Sequence, residues 1–241
     1  MKRLFFAALL GLSINTSIQA ADTQLYLMEV PPLTMNQPDR KGLVGDVVLE
    51  AFRRAGVSVQ LLVEPSPRAM ASVQAQDNAL IIPLARLNDR ENKYTWIAPI
   101  TRVNRAFFTM GKRINSFDEA KTSLKTIAVS RGTAGVSILR EQGFAPAQIV
   151  EVNQGETAPR MLQAGRVDAW YNLIAESRLL LKGLGTANAN IVSGALLGPT
   201  EQYLACSKRC DPELVAKLAE AIKSMQTDGS LRAILSRYPE H

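Results

Sequence analysis

Two arginines four residues apart, Arg86 and Arg90 in ARLNDREN, follow directly on the apolar run ALIIPLA. They are the first residues along the chain whose type and place suggest chemistry. A guanidinium keeps its charge at physiological pH and offers a planar fork of donors that fits a carboxylate. A strand that feeds such a turn sets it at the carboxyl edge of a sheet, where open α/β sheets hold ligands. A solvated arginine, or a local pair with Asp89 or Glu91, is the plain alternative at either position. SRGTAG, Ser130 to Gly135, is the second candidate. Its small residues let backbone approach a ligand, and the helix that follows presents unpaired N–H groups and a partial positive field to an anion. Thr133 adds a hydroxyl. The third is GRVDAWYN, in which Asp168 is read as serving local backbone donors and Trp170 as core, while Tyr171 and Asn172 can reach a cleft.

Catalysis lacks comparable support. The single histidine, His241, is the last residue, and neither an HExxH zinc pattern nor a GxxxxGK or GxGxxG phosphate loop occurs. No metal and no cofactor is expected. Cys206 and Cys210, in ACSKRCDP, are read as a disulfide closing a small loop in an oxidising compartment. Metal binding by the pair would want further ligands, and no histidine stands nearby.

The elements that position these residues alternate. LYLMEV, VSVQLLV and ALIIPLA read as strands. Between them lie a helix with Val48, Ala51, Phe52 and Ala55 on one face, stopped by Gly56, and a short helix started by Ser66 as N-cap with Pro67 behind it. The order implies a mostly parallel sheet with helices on its faces. RAFFTM, TIAVS, QIVEV and DAWYN continue the strands, and GVSILREQG, TAPRMLQAG and IAESRLLLKG the helices. A long helix capped by Asp211 and Pro212 precedes a final one. Glycine-bearing seams at GKRIN and GALLGPTEQ suggest that the chain builds one lobe, crosses out to a second and crosses back. Such a layout leaves a cleft between lobes.

Lys2 and Arg3, the apolar run after them and the exit SIQAADTQ fit a cleavable export signal over residues 1–20, cut near Ala20. The full chain holds 28 basic and 22 acidic residues, and loss of two cations leaves 26 against 22, a net +4. These charges are scattered rather than clustered, which argues against nucleic acid and allows a modest attraction for anions.

Taken in order, GLVGDVVLEAFRRAG, PLARLNDRENKYTWIAPI, SLKTIAVSRGTAG, LQAGRVDAWYN and DPELVAKLAEAIKSMQTDGSLRAILSRY resemble the bacterial extracellular solute-binding proteins of the polar amino acid type, family 3. The resemblance implies an α/β, two-lobed periplasmic-binding-protein fold of type II, each lobe a mostly parallel sheet flanked by helices, joined by a two-stranded hinge. Residues 21–109 with 200–241 would form one lobe and 110–199 the other. It implies a periplasmic monomer, not an enzyme, that gives a small solute to the membrane permease of an ABC transporter. Arg90 takes the place of the family's carboxylate-gripping arginine, and Arg86 lies one turn earlier. Thr133 and Ala134 take the place of the second-lobe loop, with Arg131 able to add a side chain. The acidic residue that usually holds an amino acid's ammonium falls at Leu173, Ser66 replaces a stacking aromatic, and Ala85 a hydroxyl residue. Glu29 is the candidate for the missing anion. A sensor module for a membrane receptor and an exported lyase or dehydratase remain alternatives.

Overall fold

A computed structural model describes residues 23–185 and 190–238, so the expected export signal over residues 1–20 and His241 lie outside the described residues. The amino-terminal half runs β1 (Thr23–Leu27), α1 (Gly42–Ala55), β2 (Val59–Val63), α2 (Ser66–Ala75), β3 (Leu80–Ala85), then a 3-10 turn at Asn88–Arg90. A 17-residue strand, β4 (Tyr94–Met110), leads to α3 (Phe117–Ser123), β5 (Ile127–Ser130), α4 (Ala134–Glu141), β6 (Ile149–Val152), α5 (Thr157–Gln163), β7 (Ala169–Leu173) and α6 (Ile174–Gly183). The chain returns through β8 (Ile191–Ser193) and β9 (Leu197–Ser207) to α7 (Pro212–Thr227) and α8 (Ser230–Leu235).

The expected alternation of strand and helix holds, for the expected reasons. Val44, Val47, Val48, Ala51 and Phe52 recur at helical spacing and are all buried, and Gly56 ends α1 in the left-handed conformation at φ 63°. Asp211 accepts from the Glu213 N–H at the start of α7, and Leu218, Ile222 and Met225 on one face of that helix are buried. The start of α2 differs from expectation. Pro65 is the cap and Ser66 the first helical residue, because the Ser66 hydroxyl is drawn across to Gln154, to which it donates at 3.2 Å, instead of turning back onto the helix.

Strand order is β2-β1-β3-β9-β4-β7-β5-β6, with β8 also on β4. Parallel strands β2, β1 and β3 stand at one end and parallel β7, β5 and β6 at the other. The antiparallel pair β4 and β9 joins the two groups. RAFFTM is therefore the far end of one continuous strand that begins at Tyr94, and β9 is the return path of the chain. Apolar side chains gather accordingly. The largest cluster draws on residues 25–103, Leu173 and residues 204–238, and two smaller ones draw on residues 106–197. Each fully buried large side chain contributes about 1.5–3 kcal/mol. Asp168 accepts from the N–H groups of Lys125 and Thr126, both at 2.8 Å, and so pins β7 to the entry of β5.

Cys206 and Cys210 are joined, tying the end of β9 to the loop before α7. Where β8 turns toward β9, the Gly194 N–H donates to the Phe107 carbonyl at 2.9 Å, and a Cβ at Gly194 would lie 1.8 Å from the Ile114 carbonyl oxygen. Gly194→Ala must push this turn off β4. The expected cost is about 2 kcal/mol or more, read as a lower urea midpoint at unchanged slope; an unchanged midpoint would show that the contact yields freely.

Candidate functional site

The ends of β3, β5 and β7 converge where β4 and β9 pass between the two parallel groups, and a small cavity opens there. Arg90, Arg105, Thr133, Ala134, Tyr171, Asn172, Glu176 and Gln202 contribute to its wall, with Met28, Val30 and Leu33 as its apolar side.

Arg90 closes the 3-10 turn after β3, its own N–H donating to the Leu87 carbonyl at 2.9 Å. The turn swings the guanidinium inward, and the residue is 7% exposed. Among the described residues its guanidinium makes no hydrogen bond, and its nearest acid, Asp89, is 4.0 Å away and half exposed. Burial lowers its pKa, with Asp89 working the other way. A buried cation in this position calls for an anion from outside.

Across the cavity, Gly132 adopts φ 71° and passes so close to Pro67 that a Cβ would lie 2.7 Å from the proline ring. Thr133 caps α4 through its backbone while its hydroxyl donates to the Ser130 carbonyl at 2.7 Å. The N–H groups of Ala134 and Gly135 find no acceptor among the described residues, so the first turn of α4 offers them to the cavity. Gly135 packs on Val129, where a Cβ would lie 2.7 Å from the valine methyl; this seats the helix start directly on β5.

Three contacts close over the cavity. Ser137 on α4 donates to Asp89 at 2.8 Å, Asn88 donates to Glu141, and Ser66 reaches Gln154. The turn carrying Arg90 is thereby held against the helix that faces it.

Five of the eight residues read from the sequence as ligand contacts thus share one cavity: Arg90, Thr133, Ala134, Tyr171 and Asn172. Arg86, Arg131 and Glu29 do not reach it. Arg86 forms a bidentate pair with Glu91 at 2.9 and 2.5 Å, and its guanidinium stacks over Trp96 and Tyr203, which turns it to the outer surface. Glu29 is exposed and accepts from the Asn36 N–H at 3.2 Å. Arg131 leans on the Glu151 carbonyl at 3.5 Å, and with Glu29 lines a neighbouring groove.

Three polar cavity residues went unread in the sequence: Arg105 on β4, Glu176 in the first turn of α6 and Gln202 on β9. A signal existed for the first two. Arg105 sits two residues from Val103 and from Phe107, a charge on an apolar strand face. Glu176 lies about one helical turn beyond Leu173, so an acid does stand near the vacant position. Glu176 is 6% exposed, and its pKa is pushed up to about 7 by burial, against the pull of Asn172 and Arg105. Burial likewise pushes Tyr171 up to about 12.

The profile of the bacterial extracellular solute-binding proteins, family 3, matches residues 25–241, and the chain belongs to that family. Comparison with curated proteins finds no match. Similar solved structures share the fold at low identity. A histidine kinase sensor domain with similarity to periplasmic binding proteins superimposes at TM-score 0.80 and 16% identity, over 90% of this chain and 96% of that one. The GluR0 ligand-binding core from Nostoc punctiforme, in complex with L-glutamate, gives 0.74 and 17%, over 91% and 100%. The arginine-, lysine-, histidine-binding protein ArtJ from Geobacillus stearothermophilus gives 0.73 and 20%, over 90% and 94%. No described helix is long and apolar enough to cross a membrane.

The raised pKa of Glu176 has a consequence for stability. The folded protein holds this proton more tightly than the unfolded chain, so folding is favoured at low pH and loses ground as pH rises from about 4.5 to about 7. Glu176→Gln should remove that loss. At pH 8 the variant should be more stable than the parent by about 3 kcal/mol, with the gap closing toward pH 4.5. Denaturation at several pH values reads this directly, and a gap independent of pH would mean that Glu176 ionises freely.

Proposed function

We propose that the protein captures a small carboxylate-bearing solute, an amino acid or a related compound, in this cavity and passes it to an ABC-type permease in the periplasm. The carrying observation is Arg90: a buried guanidinium that makes no hydrogen bond among the described residues, facing the N–H groups of Ala134 and Gly135, which find no acceptor among them either. Membership of a solute-binding family supports the same reading. In it, residues 21–109 with 200–241 and residues 110–199 act as two lobes about the β4–β9 pair; the separate apolar clusters support a division of this kind, although residues 106–108 pack with the second group and Leu173 with the first. A carboxylate would touch Arg90 on one side and Thr133 and Ala134 on the other only when the lobes are shut, and that difference in contact would drive closure.

A second reading, a ligand-sensing domain of a membrane receptor, is favoured by the high structural similarity to a histidine kinase sensor domain. Capture is common to both, and the partner differs.

Arg90→Ala tests the shared step. Removing an uncompensated buried charge should leave the free protein as stable as the parent or more so. Thermal-shift screening with amino acids and small carboxylates should show a solute that raises the parent's melting temperature and leaves the variant's unchanged. An equal shift in both would move the site away from Arg90.

A further inference from the structure

We propose that the cavity takes a small solute with two acid groups, a dicarboxylate or an acidic amino acid, with Arg105 receiving the second group. This rests on the reading of the cavity as a solute site, and adds the class of solute.

Arg105 is 5% exposed in the interior of β4, where it stands opposite Leu173. Its hydrogen bond goes to the neutral hydroxyl of Thr200, at 3.0 Å, and it makes no ion pair among the described residues. A buried arginine held this way carries its desolvation penalty without an acid to offset it. Arg90, in the same cavity, has only a long contact to an acid, the half-exposed Asp89 at 4.0 Å. Two guanidiniums therefore face a single carboxylate, Glu176. A zwitterionic amino acid brings no net charge and leaves the excess standing, and a basic one adds to it. An acidic amino acid, whose two carboxylates and one ammonium match Arg90, Arg105 and Glu176, balances the cavity. A plain dicarboxylate balances it with Glu176 protonated.

Hydrogen-bond capacity points the same way. Among the described residues the side-chain nitrogen of Gln202 is buried without a partner, and the N–H groups of Ala134 and Gly135 are open. With the forks of both arginines, the wall holds many more donors than acceptors, and a second acid group supplies acceptors where a methyl group supplies none.

Calorimetric titration of the purified protein at pH 7 with L-glutamate, L-aspartate, glutarate, succinate, L-glutamine, butyrate and L-arginine decides the matter. At least one diacid should bind about 30-fold or more tighter than glutamine and butyrate, and L-arginine should not bind. In Arg105→Gln the affinity for that diacid should fall about 100-fold while butyrate and glutamine move less than about threefold, a loss of selectivity that mere misfolding does not produce. Arg105→Lys, which keeps the charge, should retain most of the preference and covers the case in which the glutamine variant fails to fold. Glu176→Gln separates the two sources: it should weaken L-glutamate and spare glutarate.

Monoacids or the amide binding as tightly as diacids would overturn the proposal, as would binding of L-arginine or an equal loss for every solute in Arg105→Gln. The broader reading survives those results as long as Arg90→Ala still abolishes the response to whatever binds. If no acid of the panel binds, the proposal falls, and a screen over all amino acids then tells whether the broader reading falls with it.

Discussion

Charge without a partner is the constraint around which this molecule is arranged. Arg90 and Arg105 are both nearly inaccessible; among the described residues Arg105 makes no ion pair, and Arg90 has only the half-exposed Asp89, 4.0 Å away. In water such groups cost nothing, whereas in a cavity each costs several kcal/mol unless an acid and hydrogen bonds compensate. Glu176 offsets part of the charge and is itself held near neutrality by burial. The free protein thus stores an electrostatic deficit in one place, and an anionic solute relieves it. Selectivity then follows from the same deficit, because a solute of the wrong charge leaves it uncorrected or deepens it.

The topology explains how so costly a cluster can be assembled. Parallel strands deliver loops and helix starts at their carboxyl ends, and here two parallel groups aim those ends toward each other across the β4–β9 pair. One group contributes the turn with Arg90, the other the start of α4 and the β7–α6 corner with Asn172 and Glu176. The joining strands contribute Arg105 and Gln202. Arg90 and Gln202, 112 positions apart in sequence, meet because the chain leaves the first group and returns to it. Rigidity comes from below, through clusters such as Phe107 on Tyr171 with ring centroids 4.8 Å apart. The contacts of Ser137 with Asp89 and of Ser66 with Gln154 bring the rims together from above.

Much of this was legible in the sequence, and the gaps have physical causes. Local signals located most elements: the apolar stripe of α1, the glycine after it, and the Asp211 cap of α7. The long β4 was divided because a polar stretch, TRVNR, interrupts its apolar pattern, yet it is those residues that cross between the parallel groups, where neither face is simply inside or outside. Arg90 could be read because a turn after a strand is a local feature. Arg86, only four residues earlier, has the same local features and lies outside; a neighbour, Glu91, and two aromatic rings claim it. Arg105, Glu176 and Gln202 depend on pairing between distant strands, which no local pattern reports. For Arg105 and Glu176, a charge beside apolar neighbours was the trace that folding left in the sequence; Gln202 left none.

A crystal structure of the protein with L-glutamate or glutarate bound would test the central claim most directly. The account predicts one acid group between the Arg90 guanidinium and the N–H groups of Ala134 and Gly135, within hydrogen-bond distance of both, in place of water. An acid seated elsewhere, with Arg90 still unpaired in its cavity, would contradict it.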